Sequence, residues 1–447
     1  MRTPLSAFFT KGIAVLCGSL LAVSCASEAD DPTKNNPLEP IELSRTEVEV
    51  SANVKNFSLD LLKATVDNSE DGKNVAVSPL GAAMVAGMFG NALAVEDRDE
   101  LAAALRIETA DLSALNSLNA KMLTSLPTHD KSAKLLLSNS SWFDQSCVQL
   151  NDAYRAILEE TYSSEIYITD FTAPTTLEAI NSWVSDRTDK AIPNILPQLS
   201  PFSRAVWLNV LYFKGAWTSK FDKSKTQEKN FILEDSTTTK VKMMTGAEKV
   251  YGTLIHKFIN GYEGPMNGPN ADPENILTTT MLTMDYGNGA FAFSAVMPDA
   301  RITVKDFLAE NSGNLINAIS KPEIFGTPVT TTDVFFPKLS FSVETDLIEP
   351  MRALGANNVF DGVSMPGIGI VSTADSSKPM FINDFMQSIR LDVDEEGSEV
   401  KVVTIATGEA ASGIPTVACF DHPFIYFIWE KTTGTILLAG TVMNPNE

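Results

Sequence analysis

Two nearly unbroken apolar runs close the chain, Phe424 to Trp429 and Ile436 to Val442, joined through a Lys-Thr-Thr-Gly-Thr turn. A strand with one wet face alternates apolar and polar residues; these runs do not, so they read as strands covered on both faces. Such a hairpin needs layers above and below it. Further strands are expected at Lys134 to Phe143, Arg204 to Phe213, Ala290 to Met297 and Thr332 to Val343. The layers come from helical spacing elsewhere. Val54 to Val66 places Phe57, Leu61 and Leu62 on one face, and Pro79 to Leu93 follows Ser78 as a cap, with Pro79 in the first turn. Tyr154 to Tyr162 and Thr176 to Thr188 are spaced alike. No repeat or Ser/Gly linker divides the chain after residue 46, so the reading is one α+β domain over 46–447.

The first 24 residues set the compartment. Arg2 and Lys11 precede an apolar run, Gly12 to Val23, too short for an ordinary spanning helix, which is the pattern of a secretory signal. It ends on Ala22-Val23-Ser24-Cys25, which resembles a bacterial lipobox: cleavage before Cys25 would free its thiol for acylation and anchor the protein to a membrane. The Ala-Ser-Glu-Ala-Asp-Asp that follows resembles an acidic export tag, and residues 25–45 read as a tether. The expectation is an outer-membrane or cell-surface lipoprotein facing outward. The formal net charge of −22 becomes −24 without residues 1–24, which argues against nucleic acid as a partner. Cys147 and Cys419 make no disulfide framework and read as buried thiols.

Catalysis finds little to work with. The three histidines, His129, His256 and His422, lie in no metalloprotease motif, and paired-cysteine metal spacing, phosphate-loop glycines and a Gly-x-Ser-x-Gly elbow are absent from the sequence. His422, in Phe-Asp-His-Pro-Phe at a strand start, reads as structural. No enzyme, cofactor or metal is expected.

Several stretches in order carry a different message: Asn74-Val-Ala-Val-Ser-Pro-Leu80; Leu137-Ser-Asn139 with Trp142-Phe143; Ile180-Asn-Ser-Trp-Val184 with Ile192-Pro193; and Leu208-Asn-Val-Leu-Tyr-Phe-Lys-Gly-Ala-Trp217. Phe336-Pro-Lys-Leu339, Leu354-Gly355 with Val359-Phe360, Glu395-Glu-Gly-Ser-Glu399 and Asp421-His-Pro-Phe424 follow. Together they resemble the serpins across the body after residue 46. The resemblance implies a large central sheet A, two further sheets, about eight to nine helices and a reactive loop near 395–418. It also implies a function: a monomer that traps a serine protease, or a cysteine protease, as an acyl-enzyme while its cut loop enters sheet A as an added strand.

The loop sequence suits that role. In a strand, alternate side chains face opposite sides. The even positions Ser398, Val400, Val402, Thr404, Ala406 and Gly408 are uncharged and of modest size, whereas Glu399, Lys401 and Glu409 occupy odd positions. Ser398 to Ala411 would span about 46 Å as a strand, at ~3.3 Å per residue. At about 0.5–1.5 kcal/mol per backbone hydrogen bond, its insertion would contribute on the order of 10 kcal/mol.

The family's pattern places the hinge on Glu395, Gly397, Ser398 and Val400. Counting from Glu395 puts the bait bond at Ala411-Ser412; counting from Asp421-His-Pro-Phe puts it at Ser412-Gly413. Ala411 behind Ala410 would suit an elastase-like pocket. Ser78, Asn209, Gln387 and Trp217 match positions that control sheet opening. An Asn209 to Gln387 hydrogen bond is expected to hold the sheet shut, with Trp217 where the loop first enters. The match frays at Val400-Lys-Val-Val403, where inhibitory members carry small residues, and at Gly81, where a second Ser is usual. The alternative is a non-inhibitory serpin that binds a ligand or partner. The stretch 260–275 reads as a tolerated insertion.

Overall fold

The computed structural model describes residues 36–107, 112–190, 192–201, 203–246, 251–258, 276–320, 329–330, 333–360, 370–371, 382, 384–397 and 417–447. Helix α1 (Arg45–Asn68) starts on a capping box: Ser44 Oγ accepts from the Glu47 amide while the Glu47 carboxylate accepts from the Ser44 amide. Its Val54, Phe57, Leu61 and Leu62 are buried. After β1 (Val75–Val77), Ser78 caps α2 (Pro79–Gly90), with Pro79 in the first turn as the sequence predicts. This helix is buried on nearly every side, in keeping with its lack of any charged residue.

Next come α3 (Val95–Ala104), α4 (Leu112–Ser125), β2 (Lys134–Asp144) and β3 (Gln149–Leu150). The expected Tyr154 to Tyr162 helix is α5 (Asp152–Ala156) continued by one π turn, Ile157–Thr161. There follow β4 (Ser164–Thr169), α6 (Pro174–Arg187), β5 (Ala205–Lys214), β6 (Gln227–Ile232), β7 (Thr238–Thr245), β8 (Tyr251–Phe258), β9 (Ile276–Tyr286) and β10 (Phe291–Met297). The remainder is α7 (Val304–Ser320), β11 (Val329–Thr330), β12 (Asp333–Pro337), β13 (Leu339–Asp346), α8 (Ile348–Ala353), β14 (Ile370–Val371), β15 (Met386–Val393), β16 (Val417–Cys419), β17 (Phe424–Glu430) and β18 (Ile436–Val442).

The C-terminal hairpin lies inside a seven-stranded antiparallel sheet of order β1-β18-β17-β10-β9-β8-β11, and every residue of β17 and β18 is buried. A second sheet has the order β16-β12-β7-β6. The third, sheet A, comprises five strands in two groups, β4-β2-β5 and β15-β13. The α+β reading and the three large sheets are as expected. The single strand expected over Thr332 to Val343 is two: β12 belongs to the second sheet and β13 to sheet A. Pro337 brings no N–H to the ladder, the Lys338 amide still bonds the Lys242 carbonyl of β7, and pairing with β15 begins at Leu339. Cys147 is buried, Cys419 is half-buried, and both are free thiols.

Candidate functional site

Sheet A is divided by a slot. β5 pairs with β2, and β15 with β13; among the described residues no strand pairing joins β5 to β15. Between them lies a cavity of about 510 Å³ lined by Asn209, Leu211, Phe213, Gln387, Ile389 and Leu391, among others. The nearly unbroken apolar sequence of β5 calls for cover on both sides, yet only Val210 among its residues is fully buried. Among the described residues β5 therefore keeps one edge without a strand partner, and that edge faces the slot.

The top of the slot is built from residues far apart in sequence. Beyond β15 the chain makes a tight turn in which Asp394 and Gly397 exchange amide-to-carbonyl bonds of 3.0 and 3.3 Å. Gly397 also bridges to Ala216, past the end of β5, so it stands between the two strand ends. Its φ is +108°, and a Cβ there would lie 2.5 Å from both the Gly215 carbonyl oxygen and the Trp217 nitrogen. Only glycine fits.

Three backbone groups of the turn are held by one short segment. Trp217 donates its indole N–H to the Asp394 carbonyl at 2.8 Å and its amide to the Glu396 carbonyl at 3.0 Å, while the Phe221 amide reaches the Glu395 carbonyl at 3.0 Å. The indole is buried and stacks on Tyr286 with 4.4 Å between centroids. Trp217 is thus both a core aromatic and the clasp of the turn.

The two glutamates of the turn are clamped by charge. Glu395 is buried, with Lys338 Nζ and Thr226 Oγ1 each 2.7 Å from its carboxylate. Burial would push this carboxyl up, but the ammonium and hydroxyl outweigh it and hold the group below its ordinary range. Glu396 meets Lys220 at 2.8 Å and Lys223 at 3.0 Å, and these two bonds lower its carboxyl likewise. Lys338 lies in the Phe336-Pro-Lys-Leu339 motif, where no role was expected of it, and nothing in the local period marks it as a partner of Glu395.

The expected Asn209 to Gln387 latch is not formed. Asn209 Nδ2 donates to Asn139 Oδ1 at 2.8 Å, within its own strand group. Gln387 instead brackets the backbone of Ser78, accepting from its amide at 2.8 Å and donating to its carbonyl at 2.9 Å. Each amide is satisfied on its own side of the slot, which is why neither reaches across. Ser78 also donates its hydroxyl to the Leu437 carbonyl and accepts from the Gly81 amide. The departure at Gly81 has a local cause: a Cβ there would lie 2.7 Å from Asn209 Oδ1.

His422 is structural, as expected. Its ring nitrogens lie 2.9 Å from Asp421 Oδ1 and 2.8 Å from the Pro298 carbonyl oxygen, tying the start of β17 to the end of β10. Ser398, Val400, Ala411, Ser412, Cys25 and the 260–275 stretch lie outside the described residues.

Residues 52–445 match the family model described as Serpin (serine protease inhibitor). This chain belongs to the serpin family. It is 26% identical over 410 residues to Serpin-ZX of Arabidopsis thaliana, covering 87% of this chain and 96% of the relative. To a serine protease inhibitor of Cyanea capillata it is 27% identical over 393 residues, covering 83% and 93%. Among solved structures, the native state of the thermophilic serpin Tengpin superposes with a TM-score of 0.73 at 21% identity, covering 92% of this serpin and 97% of that chain. Human thyroxine-binding globulin with bound thyroxine gives 0.72 at 21%, covering 90% and 100%. At these identities the superpositions show the serpin fold.

Proposed function

We propose that this serpin is a single-use inhibitor of serine proteases, with preference for elastase-like enzymes, presented at a bacterial surface by a lipid on Cys25. The observation that carries the reading is the turn Asp394–Gly397. It reverses the chain at the top of sheet A and sets Gly397 between the ends of β5 and β15, above a slot whose two edges have no strand partner among the described residues.

The mechanism follows from that aim. A protease serine attacks the carbonyl of Ala411 or Ser412, the amine of the next residue leaves, and an ester joins protease to inhibitor. The freed loop then enters the slot from Gly397 downward, pairing with β5 and β15. The ester is carried about 46 Å, at ~3.3 Å per residue, and is pulled away from the base and oxyanion donors that would hydrolyse it. The uncut form must be held by a barrier, since its best-paired state lies beyond the cut.

The test mixes the mature protein with elastase-like, chymotrypsin-like and trypsin-like proteases and looks for a denaturant-resistant adduct. An adduct with the first class supports the proposal. Cleavage with no adduct from any class removes it in favour of a serpin that binds a ligand or partner, for which thyroxine-binding globulin offers a precedent on the same fold.

A further inference from the structure

The segment preceding α1, expected to be a free tether, is docked from Asn36 onward. Asn36 is a buried polar residue nine positions before α1. Its Nδ2 donates to Asp130 Oδ1 at 2.6 Å, and its Oδ1 accepts from the Lys131 amide at 3.1 Å. Five residues on, the Ile41 amide donates to Thr432 Oγ1 at 3.1 Å, and Ile41 and Leu43 pack on the core. A carboxamide that buries itself and satisfies both of its ends marks a specific seat.

The two seats are joined to each other and lead to the hinge. Buried His129 meets buried Glu430 at 3.0 Å, and Glu430 also accepts from the Thr432 amide at 2.6 Å and the Thr433 amide at 2.9 Å. Asp130, also buried, turns its other oxygen to the Asn288 amide at 3.1 Å. The adjacent Gly287 donates its amide to the Ala216 carbonyl at 2.9 Å and accepts from Thr218 Oγ1 at 3.0 Å. Ala216 and Trp217 are the residues that hold Gly397, Glu396 and Asp394. An unbroken line of hydrogen bonds therefore runs from Asn36 through Asp130, the 287–288 turn and the 216–218 segment to the reactive-loop hinge.

We propose that residues Asn36–Leu43 are a strap that holds the hinge closed in the uncut protein, so that the chain ahead of the first helix sets how readily the loop enters sheet A. The bonds at Asp130 are buried or half-buried, so freeing Asp130 releases the 287–288 turn, which in turn loosens 216–218.

The experiment is amide hydrogen exchange on the full mature chain, read at Trp217 and Phe221, whose amides bond the Glu396 and Glu395 carbonyls. Asn36→Asp sets a carboxylate against Asp130 and should undock the strap while leaving the body folded. Exchange at both amides is expected to rise about tenfold, as in local opening. Thr432→Val, which removes the Ile41 acceptor, should give a smaller rise. In a double-mutant cycle with Thr218→Val, which removes the Thr218 bond to the Gly287 carbonyl and leaves the Gly287 amide on Ala216, the effect of Asn36→Asp should be measurably non-additive. Increased exchange at Lys131 and Ile41 with none at Trp217 and Phe221 would overturn the strap, as would full additivity in the cycle. Because the readout is exchange and not protease trapping, failure of the strap and failure of the inhibitor reading are separate results.

Discussion

The indole N–H of Trp217 lies 2.8 Å from the carbonyl oxygen of Asp394, a bond between residues 177 apart that closes the top of the slot. Trp217→Phe keeps the stack on Tyr286 and deletes this bond, leaving the Asp394 carbonyl with the longer 3.3 Å bond from the Gly397 amide. The expected cost is about 1–2 kcal/mol of native stability. Denaturant unfolding of the uncut protein checks it, and a change within error would mean that water replaces the indole.

Gly397→Ala combines a positive φ with contacts of 2.5 Å to two backbone atoms. Strain of roughly 1–3 kcal/mol on the closed turn raises the uncut state and should hasten loop entry, shifting the outcome toward the adduct by about tenfold. Gel densitometry of adduct against nicked product reads the ratio. An unchanged ratio would show that the turn is remade during insertion.

Parity within the loop can be tested by paired substitutions. Thr404→Arg places a charge on the set expected to face inward and should abolish the adduct, whereas Val403→Arg faces outward and should retain most of it. Equal behaviour of the two would refute strand insertion in this register.

Lys338→Met strands the buried Glu395 carboxylate. A broken buried pair costs about 3–5 kcal/mol, and since Lys338 is one-third exposed the expectation here is roughly 2–3 kcal/mol at neutral pH. The native carboxyl of Glu395 is held low, so its contribution is present above its unfolded value, about 4.3, and is lost as pH falls through the native one. Unfolding at pH 7 and at pH 4 should therefore show the variant's deficit shrinking in acid; a pH-independent deficit would refute a charge-based role.

His422 works in the opposite direction. Burial opposes its charge, but Asp421 and the Pro298 carbonyl outweigh this and raise the imidazole above its ordinary value. The raised group stabilises the fold fully below its unfolded value near 6.5 and loses that contribution as pH rises through the native one. Melting should fall between pH 6 and pH 9 more steeply in the wild type than in His422→Gln. Identical slopes would show that the ring is neutral throughout.

Much of the architecture was legible because it is written in local period. The unbroken runs at β17 and β18 announced a hairpin inside a layered body, and Ser78-Pro79 marked the start of α2. The run from Thr332 misled because the chain leaves β7 for β15 between Lys338 and Leu339, a change of partner strand that the local pattern does not mark. Asn209 and Gln387 misled for a related reason: two amides near one slot suggest a mutual bond, but nearer backbone and side-chain partners claim them first. Lys220, Lys223, Thr226 and Lys338 gave no periodic signal, since their task is set by two glutamates brought to them from 57 to 176 residues away.

The sequence alone determined the α+β class, the strand and helix segments, the serpin resemblance and the parity of the loop, because period, caps and motifs act over a few residues. The tertiary structure decided that sheet A carries a slot, that Gly397 stands at its mouth, and that Asn36 lies on a line leading there. Those facts depend on which distant segments meet, and hydrogen bonds and ion pairs choose their partners only after the hydrophobic layers have brought them within reach.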